Sequence, residues 1–95
     1  MTLSHRELIA LTRLWTAAGQ KASAVEGRLA LTLGAVVDGL SGGGDGPARD
    51  YARRIARDGV NFGYLYIDAV EETDRGVEVW LGLTPVSELF RRDNP

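Results

Sequence analysis

Phe62-Gly63-Tyr64-Leu65-Tyr66-Ile67-Asp68-Ala69-Val70 and Val77-Glu78-Val79-Trp80-Leu81-Gly82-Leu83 decide the fold. Here the spacing of apolar residues changes from about 3.6, the period of a helix, to two, the period of a strand. Between the two runs lies Glu71-Glu72-Thr73-Asp74-Arg75-Gly76. Asp74-Arg75-Gly76 suits a three-residue hairpin loop, with Gly76 in the left-handed region. Such a loop sets Thr73 opposite Val77, Ala69 opposite Leu81 and Ile67 opposite Leu83. In that register Leu65, Ile67, Ala69, Val77, Val79, Leu81 and Leu83 share one aliphatic face. A slip of one residue would bring Glu71 opposite Glu78, which is unfavourable. The other face carries Phe62, Tyr64, Tyr66, Val70 and Trp80 among Asp68, Glu72 and Glu78.

The segment before the hairpin is helical in pattern. Ser4-His5-Arg6-Glu7 is a capping box, flanked by Leu3 and Leu8 at the spacing of a hydrophobic staple. Leu8, Leu11, Leu14, Trp15 and Ala18 then form one face, up to a stop at Gly19. Ser23-Ala24-Val25-Glu26 repeats the box, and Val25, Leu29, Leu33, Val36 and Leu40 advance by threes and fours. This predicts a second, largely buried helix over residues 24–40; a strand over Leu29 to Val37 is the competing reading. Gly27 and Gly34 in it would admit a close neighbouring backbone. Residues 41–46, Ser41-Gly42-Gly43-Gly44-Asp45-Gly46, read as a flexible connector.

Pro47 suits a first helical position, and Ala48 to Asp58 reads as a short amphipathic helix ended by Gly59. Ala48, Tyr51, Ala52, Ile55 and Ala56 face one way; Arg49, Arg53, Arg54 and Arg57 face the other. After the hairpin, Thr84-Pro85 opens a last helix through Val86, Leu89 and Phe90, with residues 93–95 frayed. The expected fold class is therefore α+β: a small single domain over residues 1–95, three helices packed on a β-hairpin and a short C-terminal helix.

Composition narrows the chemistry. The 95 residues include 11 Lys+Arg, 13 Asp+Glu, one His and no Cys, for a formal charge of −2. Without cysteine there is no disulfide framework, thiolate zinc site or thiol nucleophile. His5 falls in an exposed first turn, where a solvated side chain is the simpler reading than a catalytic base. Asp68, Glu71, Glu72, Asp74 and Glu78 lack the spacing of a calcium loop and read as a solvated hairpin tip. The glycine-rich stretch lacks the Gly-Lys-Ser/Thr ending of a phosphate loop. No enzyme, metal or cofactor is expected. The longest uncharged run, Leu29 to Val37, is nine residues, against the ~20 of a membrane helix. With no charged-then-apolar opening, no membrane association and a cytoplasmic location are the expectation.

Two binding surfaces stand out. A hairpin apolar on both faces needs a cover for the second, and Tyr and Trp are favoured at interface centres. The C-terminal helix, through Leu89 and Phe90, supplies one cover; a second copy or another protein supplies the alternative. Phe62, Tyr64, Tyr66 and Trp80 are accordingly the candidate protein interface. The expected function is that of a non-catalytic protein-interaction or adaptor protein, acting as a homodimer or within a larger complex. The alternative rests on the arginine helix, whose four arginines against Asp50 and Asp58 leave a local charge near +2.

The order of helices, basic helix, hairpin and short helix over roughly residues 47–90 is similar to winged helix-turn-helix domains. Val77-Glu78-Val79-Trp80-Leu81-Gly82-Leu83-Thr84-Pro85 looks like a second wing strand running into a final helix. The resemblance implies a DNA-binding regulator in which Ala48 to Asp58 is the recognition helix. Arg49, Arg53, Arg54 and Arg57 would then face nucleic acid.

Overall fold

The computed structural model describes residues 2–21 and 29–95, without the side chains of residues 20 and 21. Helix α1 (His5–Lys21) starts on the capping box: the Ser4 amide donates to Glu7 Oε1 at 2.9 Å, and the Glu7 amide to Ser4 Oγ at 3.1 Å. Leu3 and Leu8 are both buried beside it, as a staple requires. The helix runs past Gly19, burying Leu11 and Trp15.

The second helix is shorter than its apolar spacing predicts. Strand β1 (Leu31–Thr32) precedes it, and α2 (Leu33–Ser41) begins only after Thr32. The Thr32 hydroxyl accepts from the Ala35 amide at 3.1 Å, so a local cap competes successfully with continued helix. Leu31 and Thr32 pair instead with Leu81 and Trp80. The second capping box and Gly27 lie outside the described residues. Gly34 faces open space, with no neighbouring backbone against it.

The connector opens on a hydrogen-bonded turn, in which the Gly43 amide donates to the Asp38 carbonyl at 3.0 Å and the Gly44 amide to the Ser41 carbonyl at 3.1 Å. Gly42, the C-cap, and Gly43 have φ of 64° and 79°, a region other residues resist. Helix α3 (Pro47–Asn61) continues beyond Gly59, which is buried within it rather than ending it. A Cβ there would stand 3.0 Å from Leu65 Cδ1 and 3.3 Å from Leu11 Cδ2, so this glycine lets α3 approach α1 and the sheet. The helix stops at Phe62, whose amide donates to the Asp58 carbonyl. The strand predicted from Phe62 consequently begins three residues later.

Strands β2 (Leu65–Thr73) and β3 (Gly76–Leu83) form the hairpin, and β1 completes an antiparallel sheet of order β1-β3-β2. The register differs from the expected one. The loop is tighter: Thr73 opposes Gly76, Thr73 Oγ1 donates to the Gly76 carbonyl, and the Arg75 amide donates to Thr73 Oγ1. A bulge between Ile67 and Ala69 adds a second residue of offset, so Ile67 opposes Leu81 instead of Leu83 and Leu65 opposes Leu83, which restores the face though not the expected pairs. Leu65, Ile67, Val79, Leu81 and Leu83 keep their common face, while Ala69 and Val70 exchange sides. Glu71 does stand opposite Glu78, at the end of the hairpin where Glu71 is exposed and water screens the repulsion.

Helix α4 (Pro85–Asp93) is bound at its start to the two residues before β2: Ser87 Oγ donates to the Tyr64 carbonyl at 2.7 Å and Thr84 Oγ1 to the Gly63 carbonyl at 2.7 Å. It packs against α1, with Phe90 edge-on to His5 and Arg91 donating to Thr16 Oγ1. Leu89 therefore does not cover the hairpin; it is exposed. Asp93, expected to fray, closes the helix, and the Asn94 amide donates to the Phe90 carbonyl. Among the described residues the fold is α+β, four helices and a three-stranded antiparallel sheet. Leu11, Trp15, Val36, Ile55, Leu65 and Leu81 share the core.

The two glycines predict opposite outcomes in urea denaturation. Gly59→Val should destabilise the chain by roughly 2 kcal/mol through overpacking against Leu65 and Leu11. Gly34→Ala should stabilise it by about 0.5 kcal/mol, since helix propensity improves and nothing is displaced.

Candidate nucleic-acid and protein interface

The four arginines of α3 divide into two pairs. Arg49 donates to Asp38 Oδ1 at 2.6 Å, tying α3 to α2. Arg54 donates to Glu7 Oε2 at 2.6 Å and to Asp58 Oδ2 at 3.0 Å, and its guanidinium lies 4.9 Å from the centre of the Tyr51 ring. Tyr51 donates to the same Glu7 Oε2 at 2.5 Å. These contacts fix the attitude of α3 on α1. Arg53 and Arg57, with side chains 60% and 68% exposed, make only 3.5 Å approaches to Asp50 and Asp58. Long pairs whose arginine is exposed are worth about 0–1 kcal/mol and release that arginine readily.

Arg53 and Arg57 border an open groove of about 1110 Å³ between α2, α3 and the hairpin. Arg75, at the hairpin turn, lines the opposite side, together with Asp74 and Glu78. The groove is largely aliphatic: Leu33, Val37, Ile67, Val77 and Val79 line it. Ile67 and Val77 are 54% and 65% exposed, so the far half of the hairpin extends beyond the helices that shelter Leu65 and Leu81.

The aromatic residues take less uniform places. Phe62 is exposed at the end of α3, outside the strand. Tyr64 is half-buried against the core, its hydroxyl 2.6 Å from Thr2 Oγ1. Tyr66 is half-buried with its ring over Gly82, where a Cβ would come within 2.5 Å of the ring and hydroxyl. Trp80 is half-buried between Thr32 of β1 and Ala69 of β2. Its Nε1 is buried and has no hydrogen-bond partner among the described residues.

The groove was not foreseen from the sequence because Ile67 and Val77 carry the same alternation as the buried Leu65 and Leu81. One available signal was strand length. Nine residues in β2 span about 30 Å, more than the ~22 Å of the fifteen-residue α3. His5 is exposed at the start of α1. Among the described residues no group of three or more His, Cys, Asp or Glu could hold a metal ion, and no helix is long and apolar enough to cross a membrane. No protein-family model, curated protein or solved structure shows a significant match to the chain.

Glu7 makes the position of α3 sensitive to acid. The Tyr51 hydroxyl, the Ser4 amide and the Arg54 guanidinium hold its carboxyl at about 2, against an ordinary 4.5. The depressed value means that the contribution is complete above pH 4.5 and is lost as pH falls through about 2. Urea midpoints measured across that interval should fall with pH, and Glu7→Gln should be less stable at neutral pH with a flatter acid limb.

Proposed function

We propose that the chain binds duplex DNA through α3. The reading is supported by a helix–turn–helix unit, α2 to α3, followed by a hairpin beside the second helix, as the resemblance to winged helix-turn-helix domains implies. The observation that carries it is the division among the arginines. Arg49 and Arg54 brace the helix, while Arg53 and Arg57, one turn apart, present free donors to solvent. Arginines in that setting suit phosphate oxygens and the base edges of a major groove. The acidic hairpin contributes only Arg75 as a cation, so the electrostatic contact is small.

Three phosphate contacts correspond to a slope of about −3 in log affinity against log salt. Fluorescence anisotropy with a labelled duplex should show that slope, and Arg53→Ala with Arg57→Ala should lower affinity about tenfold or more. No binding to any duplex at about 20 mM salt would overturn the reading.

A second reading is a protein-interaction or adaptor role through self-association. It is supported by the aliphatic side chains left in water on the hairpin, Ile67, Val70 and Val77, more than by the half-buried Tyr64, Tyr66 and Trp80. Neither reading requires catalysis.

A further inference from the structure

We infer that the groove between α3 and the hairpin is a self-complementary surface that pairs with the same groove of a second copy of this chain. The inference rests on the self-association reading and names its surface; it does not depend on duplex binding.

The first observation is apolar area. Ile67, Val70 and Val77 are each more than half exposed and lie on one face of the hairpin, with Leu33, 40% exposed, across the groove. Single exposed aliphatic residues are ordinary, whereas Leu33, Ile67 and Val77 along one groove, with Val70 beyond them on the same sheet face, mark a contact surface. Phosphates of a duplex against Arg53 and Arg57 would leave these side chains wet. The open mouth also suits a broad partner better than a small ligand, which is normally enclosed on most of its surface.

The second observation is the distribution of charge around that apolar centre. Glu72 opposes Val77 and so shares its face just outside the groove, and Asp74 lines the groove at the turn. Among the described residues neither carboxylate has an ion-pair partner. On the other wall stand Arg53 and Arg57, held only weakly. The hairpin rim thus carries Glu72, Asp74 and Glu78 against Arg75 alone, and the α3 rim carries four arginines against Asp50, so one rim is net acidic and the other net basic. A partner of a single charge would satisfy one rim and repel the other.

A twofold axis through the aliphatic centre satisfies both rims. It sets Ile67, Val70 and Val77 against their own copies and brings each Glu72 towards the other chain's Arg57. That is the symmetry of an isologous dimer. Extension of the sheet through β2 is disfavoured, since this edge strand carries a bulge and exposed Glu71 and Glu72. Because the pairing covers Arg53 and Arg57, dimer and duplex-bound monomer exclude one another.

The test uses two charge reversals, Glu72→Arg and Arg57→Glu, followed by analytical ultracentrifugation of each variant alone and of an equimolar mixture. Circular dichroism confirms that each is folded. The wild type should show a monomer–dimer equilibrium. Each variant alone should dimerise at least about tenfold more weakly, since like charges then meet across both rims. The mixture should recover dimer. In it the guanidinium introduced at position 72 of one chain meets the carboxylate introduced at position 57 of the other, while the unaltered Arg57 and Glu72 meet in return. Val77→Asp, at an exposed position, should abolish association without unfolding the monomer. A dimer indifferent to all three substitutions overturns this surface and leaves self-association standing; a wild type monomeric up to millimolar concentration overturns both. Duplex affinity, measured separately, has no bearing on either result.

Discussion

Strand β3 needs hydrogen-bond partners along two edges, and the rest of the molecule is arranged around that requirement. Backbone groups left without partners in an apolar setting lose the free energy of hydration with nothing in return. β2 fills one edge through a tight turn, which proximity in the chain makes easy. β1 fills the other from some fifty residues away, with only Leu31 and Thr32. Leu81 sits where the two pairings meet, opposite both Leu31 and Ile67, and is almost wholly buried. Drawing Leu31 and Thr32 into the sheet frees Thr32 to cap α2. The short α2 and the glycine turn behind it then lead into α3 beside the hairpin.

Much of this was legible in the chain itself. The capping box at Ser4, the proline-led starts of α3 and α4 and the two hairpin strands are local signals, decided by residues a few positions apart. β1 was not, because two residues have no period and Leu29, Leu33 and Val36 continue a helical one. The hairpin register was partly legible. The parity of the aliphatic face held near the base, but a bulge at Asp68 is a tertiary adjustment that no alternation announces. Gly59 read as a helix stop because glycine ends helices more often than it thins them. Its role comes from Leu65 and Leu11, which approach from other elements.

The candidate site was legible as a set of residue types and not as a set of roles. Four arginines on one helix face look equivalent in sequence. Their distinction comes from Asp38, eleven residues from Arg49, and from Glu7, forty-seven residues from Arg54. Only after those contacts form do Arg53 and Arg57 remain as the accessible pair. Similarly, the exposed aliphatic stripe and the acidic rim of the hairpin gain meaning from the groove that α3 completes. Structure and the proposed binding are linked by the same contacts: the pairs with Glu7 and Asp38 that position α3 also leave Arg53 and Arg57 as the accessible guanidinium groups.

The arrangement depends on β3 being paired on both edges, since β1 determines where α2 begins and hence how α3 meets the hairpin. Nuclear Overhauser contacts in isotopically labelled protein measure this directly. The prediction is a cross-strand pattern linking Leu31 with Leu81 and Thr32 with Trp80, and slow amide exchange on both sides of β3. Sequential helical contacts running without interruption from Leu29 through Leu33, with rapid exchange along that edge of β3, would contradict it.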